Sequence, residues 1–384
     1  MTGFAAMENC AVLVEGRQIA DVFSQKRFEK KQFGSDVKII NVENCYIVPG
    51  FIDTHIHGFA GYGTEDAFEP EPRGTDAIIE MSRQLAQFGV TSFNPTLFPE
   101  EPKRLIQAVR SICSAMGREE GANIKGLHLE GPFISKDKVG ALKAEAVIPV
   151  DLDLMEQLWV ASRGRIINMT VAPEIKGMRE LALFCIKKGI ILQAGHTDAR
   201  YENMVEGMQA GILHSTHLFN AMSRMEHRNP NAAGAILIHP EVSCEIIADG
   251  FHIHPDLYKL LIRNKPIDKI FMITDALKAT EQKTGVLMSN GAELVLHDGA
   301  FHRKSDDVIA GSALTMMKGI KNLVEFGFSL EDAIKTASIN PAQVMRYKNK
   351  GAIIPGHDAD LTVFDREYNV KLVMIGGKIV KNQF

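Results

Sequence analysis

Gly50-Phe51-Ile52-Asp53-Thr54-His55-Ile56-His57-Gly58 is the stretch on which the reading of this chain turns. It opens with the apolar residues of a buried strand and ends in two histidines separated by one residue. Side chains two apart on a strand point to the same side, so His55 and His57 can converge on one ion. What matters next is whether other strands end in the same way.

Short apolar, β-branched runs recur at 90–97, 124–130, 166–172, 190–196, 214–219, 243–249 and 270–275, which with 50–57 makes eight. Helical patterns lie between most of them, at 75–88, 103–116, 178–188 and 199–210. Alternating strands and helices call for parallel strands with helical crossovers, and eight such units close a barrel. An open doubly wound sheet is the competing arrangement, weakened because no GxGxxG loop follows the first strand. The expected fold is α/β, a (β/α)8 TIM-like barrel over residues 50–354.

The ends of these runs carry the chemistry. The third ends in His128-Leu129-Glu130-Gly131-Pro132, the fifth in Gly195-His196-Thr197, the sixth passes through His217, and the eighth ends in Thr274-Asp275-Ala276. Barrel enzymes build their sites at this C-terminal face. One histidine at a strand end is ordinarily a hydrogen-bonded structural residue, and one carboxylate can simply cap the next helix. Six on one rim, His55, His57, Glu130, His196, His217 and Asp275, read as a metal centre. His128 and His214 alternate away from their neighbouring ligands and read as structural.

Imidazole and carboxylate ligands suit zinc, iron, manganese or cobalt, and ligand type does not choose among them. Glu130 can bridge two ions, with His55, His57 and Asp275 completing one site and His196 and His217 the other. A bound ion lowers the pKa of water from 15.7 to about 7, and Asp275 is then the candidate proton carrier.

Both chain ends are strand-rich, at 11–15, 18–23, 37–42 and 45–48 and again at 360–365, 370–375 and 378–380. They predict one small β-sandwich domain assembled from residues 1–49 and 355–384. Between barrel and C-terminus, Asn290-Gly291 and Asp298-Gly299 read as hairpin turns, and 328–344 as a closing helical region.

The 384 residues are 45% hydrophobic and 23% charged, with a net charge of −4. That balance gives no general attraction to nucleic acid or acidic membranes, so a small anionic substrate needs a local cationic pocket. The five cysteines form no CxxC pair, which fits a reducing compartment. No basic segment precedes an apolar run at the N-terminus, and no stretch approaches the roughly 18 apolar residues of a membrane span. The expectation is a soluble cytoplasmic protein with no nucleic-acid or membrane partner.

The ordered set Pro49-Gly50-Phe51-Ile52-Asp53, His128-Leu129-Glu130-Gly131-Pro132, Ala194-Gly195-His196-Thr197, His217-Leu218-Phe219-Asn220-Ala221-Met222, Asp249-Gly250-Phe251-His252, Thr274-Asp275-Ala276 and Ala310-Gly311-Ser312 resembles the amidohydrolase superfamily. Within it the chain looks most like the N-acetylglucosamine-6-phosphate deacetylase family, over essentially its whole length. The resemblance implies a homodimer that removes the acetyl group from a phosphorylated amino sugar in amino-sugar catabolism. It implies that Glu130, His196 and His217 hold the main metal and that Asp275 is the acid/base. It also implies substrate contacts from Asn220, Ala221, Arg228, His252 and Ala310, with Arg228 meeting the phosphate, reaching it from the partner subunit. Some members lack the first-strand histidines and use one ion; His55 and His57 are both present here, which points to two.

His252 can act as an electrophilic clamp on the amide, or cap the helix that starts near Pro255. At the position of Leu142 the family often has a His or Gln that touches the substrate. Leucine cannot make that hydrogen bond, so Lys143 or another residue must supply it, or the preferred substrate is the N-acetylgalactosamine-6-phosphate epimer. Cyclic-amide hydrolases and nucleobase deaminases are the rival activities; they commonly place a carbamylated lysine or another arrangement where Glu130 stands. A non-catalytic relative would have lost Glu130, His196, His217 or Asp275, and all four are present.

Overall fold

The computed structural model describes residues 1–282, 285–297 and 299–384. Eight parallel strands follow one another around a barrel in chain order. They are β1 (Phe51–Ile56), β2 (Val90–Leu97), β3 (Leu127–Glu130), β4 (Ile166–Val171), β5 (Ile191–Ala194), β6 (His214–Ser215), β7 (Ser243–Ile247) and β8 (Ile270–Ile273). The seam between β8 and β1 is sealed by polar contacts. The Asp275 amide donates to the His55 carbonyl at 3.0 Å, and the Thr274 hydroxyl donates to the buried Asp53 carboxylate at 2.6 Å. Burial drives the Asp53 carboxyl up to about 7, against the opposing pull of the Thr274 hydrogen bonds.

The strands read from sequence at 190–196, 214–219 and 270–275 are longer than those that form. Each stops just before its chemistry-bearing residue. His196, His217 and Asp275 have φ of 47°, 24° and 50°, in the left-handed region that breaks a strand and re-aims the side chain. Such conformations cost of order 1–3 kcal/mol each and persist only where the surrounding packing enforces them.

The terminal strands form a separate layer. Tyr46–Pro49 pairs with Leu361–Phe364, which continues to Val370–Ile375 and Lys378–Asn382 in one antiparallel sheet. A hairpin of Cys10–Glu15 and Gln18–Ser24 faces this sheet across an apolar cluster of Ile19, Ile353, Ala359 and Leu361, completing a small sandwich. The strand expected at 37–42 does not form: Val37 and Ile39 are exposed with no strand beside them, so their alternation has nothing to bury against.

After β8 the chain builds a second antiparallel sheet from β9 (Met288–Ser289), β10 (Ala292–His297), β11 (Ala300–Arg303) and β12 (Ile309–Ser312). Asn290-Gly291 makes the expected two-residue turn, with φ of 47° and 79°. The expected turn at Asp298-Gly299 involves Asp298, which lies outside the described residues. The closing helical region resolves into Leu330–Ala337 and Ile339–Val344. Among the described residues no helix is long and apolar enough to cross a membrane.

Candidate active site

The six residues at the barrel rim come together in two clusters, His55–His57–Asp275 and Glu130–His196–His217. Glu130 joins them. Its Oε1 lies 3.1 Å from both His196 Nε2 and His217 Nε2, and its Oε2 lies 3.2 Å from His57 Nε2. Asp275 Oδ1 lies 3.3 Å from His57 Nε2 and 3.5 Å from His55 Nε2. Ligand atoms 2.0–2.2 Å from a tetrahedral ion stand roughly 3.3 Å apart, so these separations match a coordination shell. His55 Nε2 is buried with no hydrogen-bond partner, the state of a donor atom reserved for an ion. The donor set therefore fits one divalent ion or two.

What lies behind the imidazoles fixes which nitrogen faces the site. Nδ1 of His55 is 3.0 Å from Glu245 Oε2, that of His57 is 3.0 Å from the Thr96 carbonyl, and that of His196 is 2.9 Å from the Lys138 carbonyl. Each contact leaves Nε2 as the ligand atom, the usual outer-shell arrangement at metal-binding histidines. Burial alone would push the Glu130 carboxyl up, but the surrounding His55, His196 and His217 rings hold it well below the usual range. Asp275 is also lowered, burial being outweighed by the hydrogen bond from His57 and the charges of His55 and His57. Both carboxyls are thus in the charged form that binds cations.

Glu245 escaped the sequence reading. It lies in β7, in an otherwise apolar run, and is fully buried with its side chain inside the barrel. It accepts from Gln193 Nε2 at 2.6 Å and from the His217 amide at 3.2 Å, besides its contact with His55. The polar chain continues away from the rim: Asn168 donates to Gln193 at 2.6 Å, Asn94 to Asn168 at 3.1 Å, and the Tyr347 hydroxyl to Asn94 at 2.5 Å. A buried carboxylate amid five strands of a barrel reads as a ligand support only once those partners are in view.

Above the clusters opens a cavity of about 320 Å³, lined by barrel residues and by the sheet β9–β12. His57, Glu130, His196, His217 and Asp275 form its floor; Leu142, Asn220, Ala221, His252 and Ala310 are among its walls. Gly311 lets the wall approach: a Cβ there would sit 2.9 Å from the Asp275 carbonyl oxygen, and its φ is 134°. His252 does not cap the following helix, Leu257–Asn264. Its Nδ1 lies 2.6 Å from Asp249 Oδ2, and Asp249 raises its pKa against the opposing effect of burial.

Other expected contacts are placed differently. Asn220 lines the cavity, but its backbone amide donates to the His217 carbonyl at 3.0 Å. Arg228 is exposed on the 224–229 loop and does not line the cavity of its own chain. Lys143 turns to Glu100 at 2.6 Å and is not among the residues lining the cavity. His128 is held between the Thr96 and Thr170 hydroxyls at 3.1 and 2.9 Å, and neither it nor His214 belongs to a ligand cluster among the described residues.

A fold of this kind with this rim is matched by the amidohydrolase family model over residues 46–380. The chain belongs to the amidohydrolase family. Its relatives there include the N-acetylglucosamine-6-phosphate deacetylases of Bacillus subtilis, 35% identical over 87% of this chain and 84% of that one, and of Homo sapiens, 31% identical over 87% and 83%. Among solved structures, a variant of the Mycobacterium smegmatis N-acetyl-D-glucosamine-6-phosphate deacetylase in complex with N-acetyl-D-glucosamine-6-phosphate superposes with a TM-score of 0.90 at 26% identity, covering 100% of this chain and 97% of that one. The Pasteurella multocida N-acetylglucosamine-6-phosphate deacetylase gives a TM-score of 0.90 at 25% identity, covering 99% and 97%.

Proposed function

We propose that the chain hydrolyses the N-acetyl group of N-acetylglucosamine-6-phosphate to give glucosamine-6-phosphate and acetate. The observation that carries this reading is the pair of ligand clusters joined at Glu130, beneath a cavity that also presents Asp275 and His252, in a chain related along most of its length to deacetylases of that sugar. We infer that His55, His57 and Asp275 would hold one divalent ion and His196 and His217 a second, with Glu130 within reach of both, zinc being the metal the family resemblance favours. Such ions polarise a carbonyl oxygen and make water a nucleophile at neutral pH.

The protein's own groups supply the rest. Asp275 accepts a proton as water adds to the amide carbonyl and returns it to the nitrogen as the C–N bond breaks. His252, held by Asp249, offers its other ring nitrogen to the substrate from the cavity wall. We further assign a homodimer in which Arg228 serves the neighbouring cavity, a role its exposed loop supports. A cytoplasmic location accords with five unpaired cysteines.

The test is acetate release by metal-reconstituted protein from N-acetylglucosamine-6-phosphate, its galactosamine epimer and unphosphorylated N-acetylglucosamine. The first is expected to be turned over best. Metal-loaded protein that releases acetate from none of the three would sink the proposal.

Glu245 supplies a second prediction. Glu245→Gln removes the charge behind His55 while keeping the shape, so metal affinity at the His55–His57–Asp275 cluster is expected to fall about 10–100-fold. Competition with a chelator measures it, alongside circular dichroism to establish that the barrel is intact. Wild-type affinity in this variant would show that Glu245 is a packing residue only.

A further inference from the structure

The cavity must recognise a phosphate, yet the loop facing it is short of cations. Leu142 stands in the cavity wall with an apolar core behind it. It is 7% exposed and packs in an apolar cluster with Phe98, Ile134, Leu277, Leu294 and Phe301, part of the core beneath the sheet β9–β12. Lys138 and Lys143, on either side, are turned to Asp198 at 3.2 Å and Glu100 at 2.6 Å. Among the described residues that line the cavity, Arg303 is the one Lys or Arg.

Arg303 ends β11, and its guanidinium crosses back to the loop before Leu142. Nη1 donates to the Ala141 carbonyl at 3.3 Å, one residue from the leucine. Nε and Nη2 donate to the two oxygens of Asp306 at 3.0 and 2.6 Å, which fixes the plane of the fork. A guanidinium has five N–H groups, so two are left uncommitted on a group whose orientation is already set. A rigid fork with N–H groups to spare is the geometry that binds phosphate bidentately.

We propose that Arg303 reads the phosphate of the substrate from within the same chain, replacing the polar contact that Leu142 cannot make. This rests on the substrate class proposed above and goes beyond it by naming a cation of the same chain that adds to the preference for a phosphorylated sugar, beside the Arg228 assigned to the neighbouring chain. Asp306, half-exposed on the following turn, pre-orients the fork but competes with the incoming anion.

The experiment compares wild type, Arg303→Met, Arg303→Lys and Asp306→Asn for acetate release from N-acetylglucosamine-6-phosphate and N-acetylglucosamine. Charge-assisted hydrogen bonds of this kind contribute enough that Arg303→Met should raise KM for the phosphorylated sugar about 10–100-fold, with a much smaller change in kcat. The loss on the unphosphorylated sugar should be far smaller, so the preference between the two collapses. Arg303→Lys should recover part of it, and Asp306→Asn should lower KM by freeing the fork. Inorganic phosphate, as a competitive inhibitor, should weaken in parallel in Arg303→Met. A wild-type preference for the phosphorylated sugar that Arg303→Met retains in full overturns the assignment of Arg303 alone. A wild type with no such preference overturns the substrate reading and this inference with it.

Discussion

Asp275→Asn is expected to bind metal at the Glu130–His196–His217 cluster and yet lose about three orders of magnitude in kcat. The residue is held from three directions: its amide donates to the His55 carbonyl, its carbonyl accepts from the Ser312 amide at 3.0 Å, and Oδ1 faces His57. Asparagine keeps the shape and can keep those backbone contacts, but it cannot take up a proton. Positioned acid–base groups contribute roughly 10²–10⁴-fold, and Asp275 is assigned both the uptake and the return of the proton. Acetate release read together with elemental analysis separates this from simple metal loss. Turnover near wild type would remove Asp275 from the proton-carrying role, whatever its contribution to the second cluster.

His217→Ala is expected to act one stage earlier, emptying the main metal cluster. His217 Nε2 lies 3.1 Å from Glu130 Oε1 and the side chain is almost wholly buried, so its loss leaves a hole among groups already committed elsewhere. Losing an outer-shell partner costs about 10–100-fold in metal affinity, and losing a ligand outright should cost more. Two measurements bear on it. Metal content after dialysis should fall well below that of wild type. The rise in Tm expected of wild type on adding zinc should shrink, because an ion that binds only the folded chain stabilises it more the tighter it binds. Unchanged metal content would refute the assignment of His217 as a ligand.

The barrel and its six rim residues could be read from sequence because they follow rules local to a few residues. His55 and His57 share a strand face by the two-residue period, Glu130, His196 and Asp275 each lie at the end of a strand-like run, and His217 lies within one. The exact strand ends could not be read. The left-handed conformations of His196, His217 and Asp275 are imposed by packing around the rim, and no residue pattern announces them. Glu245 was hidden for a related reason: one carboxylate in an apolar strand has meaning only when His55, Gln193 and the His217 amide arrive from other strands. Arg303 lies more than 150 residues from Ala141 in the chain, and their meeting depends on how the second sheet folds over the rim. The strand expected at 37–42 failed the opposite way, a local alternation with no partner to pair with.

The ligands hang from the barrel strands, while the wall carrying Arg303 and Ala310 belongs to a sheet inserted after the last of them. Inheritance can therefore act on the two parts separately. A descendant that acquires a new turn or a different charge along 285–312 can trade one amide for another while its hydrolytic centre passes on untouched. The converse change, an altered rim under an unaltered wall, would keep the old substrate bound but leave it uncleaved.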